Sequence, residues 1–204
     1  MRFISYYTCN TQGGILVSKS EEITQKLDLE STIHEEAIPT IDLYMDQVIQ
    51  LFDATYSESL RNDDEKVLTK TMINNYAKGK LFIPIKNKKY SKDHIMLISL
   101  IYQLKGALSI KDIKSVLEPI NEKIGIEDFQ LESFYTSWVK IQQKNAGNFL
   151  EEMKSHEIEV EKQEPAEVDK LILLIASLSN MSNAYRKAAE LLVDELTELR
   201  EGKK

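Results

Sequence analysis

Apolar residues recur at three- and four-residue spacing through most of this chain, and that period predicts helices separated by short polar breaks. After Pro39-Thr40, residues Ile41, Tyr44, Met45, Val48, Leu51 and Phe52 fall on one face, with Asp42, Asp46 and Gln50 on the other. A helix beginning near Ile41 is expected. Arg61 to Glu65 reads as a polar connection. Leu68 to Lys78 reads as a second helix, with Thr69 as N-cap and Gly79 near its end. Leu81 to Tyr90 is short, contains Pro84 and carries Lys86, Lys88 and Lys89, which predicts a small hairpin with a basic tip. Ser91 is placed to cap a helix from Asp93 to about Lys105. Its Ile95, Leu97, Ile98, Leu100, Ile101 and Leu104 point in nearly every direction, so it should be the buried centre. Ser109 with Asp112 three residues later resembles a capping box opening a short helix through Ile113, Val116 and Leu117.

The two ends read differently. Residues 1–17 hold Phe3, Ile4, Tyr6, Tyr7, Gly13-Gly14 and Ile15 to Val17, which suits a small hairpin or a loosely packed arm. Ser18 and Glu21 form a capping-box pattern before a short helix to about Leu29, and Glu30 to Ile38 reads as an acidic linker. Beyond Pro119 a long helix is expected from about Asp128 to Met153, then an acidic linker from His156 to Glu167 containing Pro165. A last helix runs from about Ala166 to Arg200. Along it Val168, Leu171, Ile175, Leu178, Ser182, Tyr185, Ala189, Leu192, Leu196 and Leu199 make a near-heptad seam. Such a seam serves either a homodimer through the C-terminal helices or internal packing on the helix before it. The expected division is an N-terminal arm and short helix over 1–38, a central domain over 39–118 and a C-terminal helical region over 119–204. No longer-range repeat is visible.

With seven Gly and four Pro in 204 residues, breakers are too few for many short strands, so the fold class is mainly α. A hydrophobic content of 42% beside 29% charged residues is that of a globular chain rather than a disordered one. No apolar run approaches the roughly 18–20 residues of a membrane span, so no membrane partner is expected. Met1-Arg2-Phe3-Ile4 leads into no long apolar stretch, so no signal peptide is expected. Cys9 is the single cysteine, which excludes an internal disulfide framework and fits a reducing cytoplasm.

Charge changes the picture. The net charge of −7 argues against a nucleic-acid binder, but its distribution argues for one. Lys66 to Lys92 contains eight Lys and no Asp or Glu. Extended to Lys114 the block carries +9, which leaves −16 on the rest of the chain. Segregation of this kind points to a polyanionic partner for the block.

The segment Leu68 to Leu117 resembles the winged helix-turn-helix of MerR-type transcriptional regulators. The resemblance is carried by Ile73-Asn74-Asn75-Tyr76 at a helix end, Lys80-Leu81-Phe82-Ile83-Pro84 at the turn and Lys86-Asn87-Lys88-Lys89 as the wing. Tyr90-Ser91-Lys92-Asp93-His94-Ile95 would open the buried helix, and Ser109-Ile110-Lys111-Asp112-Ile113 the next. Asn74 stands where that family has an arginine, and Gly79 sits one place early with Lys80 in its slot. The stretches Ile41 to Asp46 and Asn74 to Pro84 also look like the core of an uncharacterised bacterial domain-of-unknown-function family. The MerR resemblance implies a DNA-binding transcriptional regulator: a winged helix-turn-helix with a small β-hairpin wing, followed by long C-terminal helices.

The residues support the same partner, double-stranded DNA. Phosphates call for Lys or Arg without carboxylates, and Lys70, Lys78, Lys80, Lys86, Lys88, Lys89 and Lys92 supply the charge. Base edges call for short side chains that both donate and accept. Thr71, Asn74 and Asn75 share one helical face with Lys78 at spacings of i, i+3, i+4 and i+7. The alternative is a non-enzymatic protein-interaction module that keeps the winged-helix fold as a scaffold. His34, His94 and His156 are scattered, so no metal site is expected. No nucleophile with its base, paired carboxylates or Gly-rich loop appears, so neither catalysis nor a cofactor is expected.

Overall fold

The computed structural model describes residues 18–62, 64–126 and 128–202; the hairpin or arm expected over 1–17 lies outside them. Within them the chain is mainly helical, with one small antiparallel sheet of two strands. The helices are α1 (Lys19–Leu27), α2 (Met45–Tyr56), α3 (Lys70–Lys78), α4 (Lys92–Leu104), α5 (Ile110–Lys123), α6 (Leu131–Glu161) and α7 (Glu167–Arg200). The strands are β1 (Leu43–Tyr44) and β2 (Lys89–Tyr90), paired Leu43 to Tyr90 and Tyr44 to Lys89.

Capping chemistry sets several helix starts. The Ser18 hydroxyl accepts from the Glu21 N–H at 3.2 Å while Glu21 Oε2 accepts from the Ser18 N–H at 2.9 Å. Thr69 Oγ1 accepts from the Met72 N–H at 3.1 Å, and Ser109 and Asp112 form the reciprocal pair that opens α5. α4 is the centre, as its all-round apolar pattern predicts: His94 through Ile101 are all buried. α2, α3, α5 and the first turns of α6 surround it, and one continuous apolar cluster runs from Ile33 to Val139.

Five expectations change. The hairpin expected over 81–90 closes on itself only at one bridge, Lys86 to Lys89, and its strand β2 takes its partner from β1 instead. The segment from Ile41 to Tyr44 is not the first turn of a helix. Ile41 and Tyr44 are 70% and 56% exposed, while Leu43 is buried as a strand residue opposite Tyr90. The 30–38 stretch is more than an acidic linker, because its two isoleucines, Ile33 and Ile38, are buried in the core on either side of a 3-10 turn at Glu35–Ala37. α5 continues through Pro119 to Lys123. Pro119 forfeits a backbone hydrogen bond, and Leu117 and Ile120 hold the helix by packing against the core. α6 extends to Glu161, through residues expected as linker. Two of their carboxylates face solvent and find lysines, Glu159 in Lys162 at 2.6 Å and Glu161 in Lys170 across to α7, while Glu157 turns to Ser20 of α1.

α6 is the spine of the C-terminal half. Its first turns lie in the core through Leu131, Tyr135 and Val139. Its later turns carry α1, through Ser20 to Glu157 and Lys154 to Glu21 at 3.6 Å. α7 returns along α6, tied by His156 Nδ1 to Ser177 Oγ at 2.8 Å, and ends on α5, where Arg200 meets Glu118 and Glu122 at 2.6 and 2.7 Å.

A buried polar chain locks the N-terminal stretch to this frame. The Tyr135 hydroxyl donates to the Ile33 carbonyl at 2.6 Å and lies 3.1 Å from Ser99 Oγ. Burial pushes its pKa well above the usual phenol range, so it stays a donor. Tyr135→Phe leaves the Ile33 carbonyl and Ser99 without that partner. A loss of about 1–3 kcal/mol is expected in urea unfolding, with no change of fold by circular dichroism.

Candidate nucleic-acid interface

α3 is two-faced. Ile73 and Tyr76 are buried, and Thr71, Asn74, Asn75 and Lys78 are exposed together on the opposite side. Gly79 caps the helix with an ordinary φ of −70°. A Cβ there would stand 2.6 Å from Leu81 Cδ1 and 3.2 Å from the Asn75 carbonyl, so it is close approach that calls for glycine at this position. The left-handed residue is the next one, Lys80, at φ 56°. Leu81 then turns fully into the core, and Asn121 of α5 reaches over to donate to its carbonyl at 3.0 Å. Nothing in the sequence around Asn121 signals this role.

The hairpin tip is built from charge. The Lys89 N–H donates to the Lys86 carbonyl at 3.0 Å, and Asn87 and Lys88 between them have φ of 53° and 59°. Two successive left-handed residues make the primed turn that matches strand twist. Asn is a usual choice there, and lysine at the second position is strained relative to glycine. Lys86, Asn87 and Lys88 are exposed, and β2 then leads back into the core at Tyr90.

His94 holds the base of this hairpin. The Ser91 N–H and hydroxyl converge on its Nδ1 at 3.1 and 2.8 Å, and its Nε2 lies 3.2 Å from the Ile83 carbonyl. A carbonyl only accepts, so the proton sits on Nε2 and the ring is neutral. Phe82 and Tyr90 pack edge-on at 5.7 and 5.9 Å between centroids. Burial lowers its pKa, against the opposing pull of the Ile83 and Pro84 backbone and of Asp93 and Asp42.

The ten sequence-predicted residues do not form one uniform set. Thr71, Asn74, Asn75, Lys78, Lys80, Lys86 and Lys88 are exposed and enter no ion pair among the described residues. Lys70 is also exposed but pairs with Asp46 at 2.6 Å. Lys89 is half-buried with its ammonium 5.4 Å from the centre of the Tyr44 ring. Lys92 is a correction: its ammonium is taken up by Glu35 and Glu132, tying the start of α4 to the 3-10 turn and to α6. It is a structural tie rather than surface charge. Lys105 is likewise spent internally. It lies over Tyr102 at 4.3 Å and donates to the Val67 carbonyl at 3.4 Å, and burial pushes its pKa down.

Among the described residues no group of three or more metal-ligating side chains occurs, and no helix of theirs is long and apolar enough to cross a membrane. No curated protein and no solved structure matches the chain. One family model, described as a domain of unknown function (DUF1836), matches residues 33–138, just over half of the sequence. Those bounds nearly coincide with the apolar cluster that begins at Ile33 and closes on α6, and they enclose α3 and the basic hairpin. The chain belongs to this family of unknown function.

Proposed function

We propose that the chain is a DNA-binding transcriptional regulator, in which α2 and α3 act as a helix-turn-helix and the 81–90 hairpin as its wing. α3 lies in the major groove with Asn74 and Asn75 toward base edges, and Lys80, Lys86 and Lys88 meet the flanking phosphates. The observation that carries the reading is the placement of lysine at two left-handed positions, Lys80 and Lys88, where glycine would be less strained. Keeping an ammonium where the backbone disfavours it is expected when the charge is used. The exposed Thr71, Asn74, Asn75 and Lys78 face supplies the second half of the argument, because phosphate contacts position and short polar side chains discriminate. The resemblance to MerR-type regulators points the same way.

The test is binding to random duplex DNA across a salt series, followed by selection of preferred sequences. Steep loss of binding with salt is expected. Asn75→Ala is expected to change the order of preferred sequences, with a discrimination loss of about 1–3 kcal/mol at one base pair. Uniform weakening on every sequence would remove Asn75 as a base reader. No complex at about 50 mM salt, where non-specific binding is ordinarily seen, would favour the protein-interaction scaffold. Two facts would then carry that second reading: the net charge of −7, and the pairing of Lys70 with Asp46.

A further inference from the structure

Four elements leave a cleft of about 370 Å³ between them: the end of α1 with the turn after it, the end of α2, the last turn of α4 and the middle of α6. That volume is within the range of small-molecule sites. Its floor is aromatic. Tyr56 and Tyr102 stack at 4.6 Å between centroids, and both line the cleft. Phe149 of α6 joins them and has no ring partner among the described residues. On the α1 side Leu27 and Leu29 leave apolar surface open, at 38% and 39% exposure. The polar groups are mainly carboxamides. Gln103 of α4 converges here with Gln142 and Asn145 of α6. Gln142 Oε1 accepts from Thr32 Oγ1 at 3.3 Å, which leaves its amino group unpaired among the described residues. The side chains of Gln103 and Asn145 enter no hydrogen bond among those residues. Ser59 donates to the Tyr56 carbonyl at 2.8 Å and Ser31 donates to Asp28, so both hydroxyls keep lone pairs as acceptors for a ligand.

Charge narrows the ligand. Among the described residues no Lys or Arg lines this cleft, and Asp28 is its one carboxylate. An anionic ligand would find no counter-charge there. A second cleft, of about 750 Å³, shares Leu27, Asp28 and Ser59 with the first. Its two cations, Lys26 and Arg61, are matched by Asp28 and Glu58, and Lys26 is already held by Glu22 at 2.6 Å. Asp28 stands where the two clefts meet. It ends α1 in the left-handed conformation at φ 45°, and its carboxylate, which takes one hydrogen bond from Ser31, has lone pairs for more donors.

We infer that the two clefts form a binding site for an uncharged nucleoside, with adenosine as the reference ligand. The base enters the first cleft, against Phe149 and the two leucines. The carboxamides meet its edge, since each offers a donor and an acceptor in one plane. That is the pairing by which Asn and Gln bind the amino group and N7 of adenine. At the junction Asp28 accepts from the ribose hydroxyls, which supply protons without charge. The 5′ end lies toward the second cleft, where the balance of charge gives a phosphate no advantage.

The inference draws nothing from DNA binding, so its test is made without DNA. Isothermal titration of adenosine into the full chain should give one site with a Kd on the order of 100 μM, ordinary for a ligand of about 19 non-hydrogen atoms. Asn145 is exposed and unpaired, so Asn145→Leu should leave the fold intact. It should raise the Kd about tenfold for adenosine and for adenine alike, because both present the same base edge. Asp28→Gly keeps the left-handed turn and removes the carboxylate. It should raise the Kd about tenfold for adenosine and leave that for adenine unchanged. Circular dichroism of both variants should match the wild type. AMP should bind no more tightly than adenosine. No heat from adenosine at about 1 mM, well above the expected Kd, overturns the site. So does binding that both variants leave unchanged, which places the ligand elsewhere. AMP binding about ten times more tightly than adenosine would make phosphate the recognised group and overturns it too.

Discussion

Changing Lys80, Lys86 and Lys88 together to alanine is expected to lower duplex affinity by about two to three orders of magnitude at roughly 0.1 M salt, and to flatten the log–log salt slope by about 2.7. The figure follows from three phosphate contacts at about 0.9 each. All three side chains are exposed, so their loss should leave the core untouched. Glycine separates charge from fold more sharply. Lys80→Gly and Lys88→Gly remove an ammonium and also relieve a left-handed backbone, so each is expected to raise stability by up to about 1 kcal/mol while weakening binding. Opposite signs in two assays on one variant cannot come from misfolding. Anisotropy titrations at several salt concentrations and urea midpoints on the same samples make the measurement. Unchanged affinity for the triple variant would leave the basic hairpin without a polyanionic partner. Lys92→Ala should behave in the reverse way, with lower stability and an unaltered salt slope, because its charge is spent on Glu35 and Glu132.

The contrast between Lys88 and Lys92 also shows how far a sequence reports a surface. Both belong to one run of lysines without carboxylates, and nothing local distinguishes them. What distinguishes them is Glu35 and Glu132, 57 and 40 positions away, and only the fold brings those three together. Local chemistry was legible. The caps at Ser18, Thr69 and Ser109 act as their spacing predicts. The apolar surround of α4 was legible as burial. The misreadings fall where tertiary pairing overrides period. Ile41 and Tyr44 match a helical stripe by spacing, but Leu43 pairs with Tyr90, and a two-residue strand has no period of its own to announce it. Ile33 and Ile38 lie in an acidic stretch whose composition hides their burial. The C-terminal seam was legible as a stripe. Whether it faced inward depended on which sides of α7 the helices α6 and α5 would take, and that is a property of the packed molecule.

The second large effect concerns acid. Above the ordinary imidazole value of about 6.5, His94 is neutral in both folded and unfolded chains, and its contribution is complete. Burial lowers its folded pKa, so as the pH falls below that value the unfolded chain takes up the proton first and stability falls with it. The loss continues until the lowered folded value is passed, at up to about 1.4 kcal/mol per pH unit. Protonation fills the Nδ1 lone pair to which the Ser91 N–H and hydroxyl point, so the start of α4 loses its cap where the hairpin is anchored. Asp93 and Asp42 soften the effect by favouring the cation. Carboxylates held low by lysines, such as Glu22 at about 2, begin to give up their share only as the pH falls toward the ordinary carboxylate value of 4.5, below this window. His94→Ala is expected to lower stability at pH 7.5 by about 2–4 kcal/mol, through the cavity left between Phe82 and Tyr90 and the unpaired Ile83 carbonyl. It should also remove the fall between pH 6.5 and 5. Urea unfolding of both proteins across that range is the measurement. An equal fall in wild type and variant would show that another group carries the acid sensitivity and that the imidazole is a spacer between two aromatic rings.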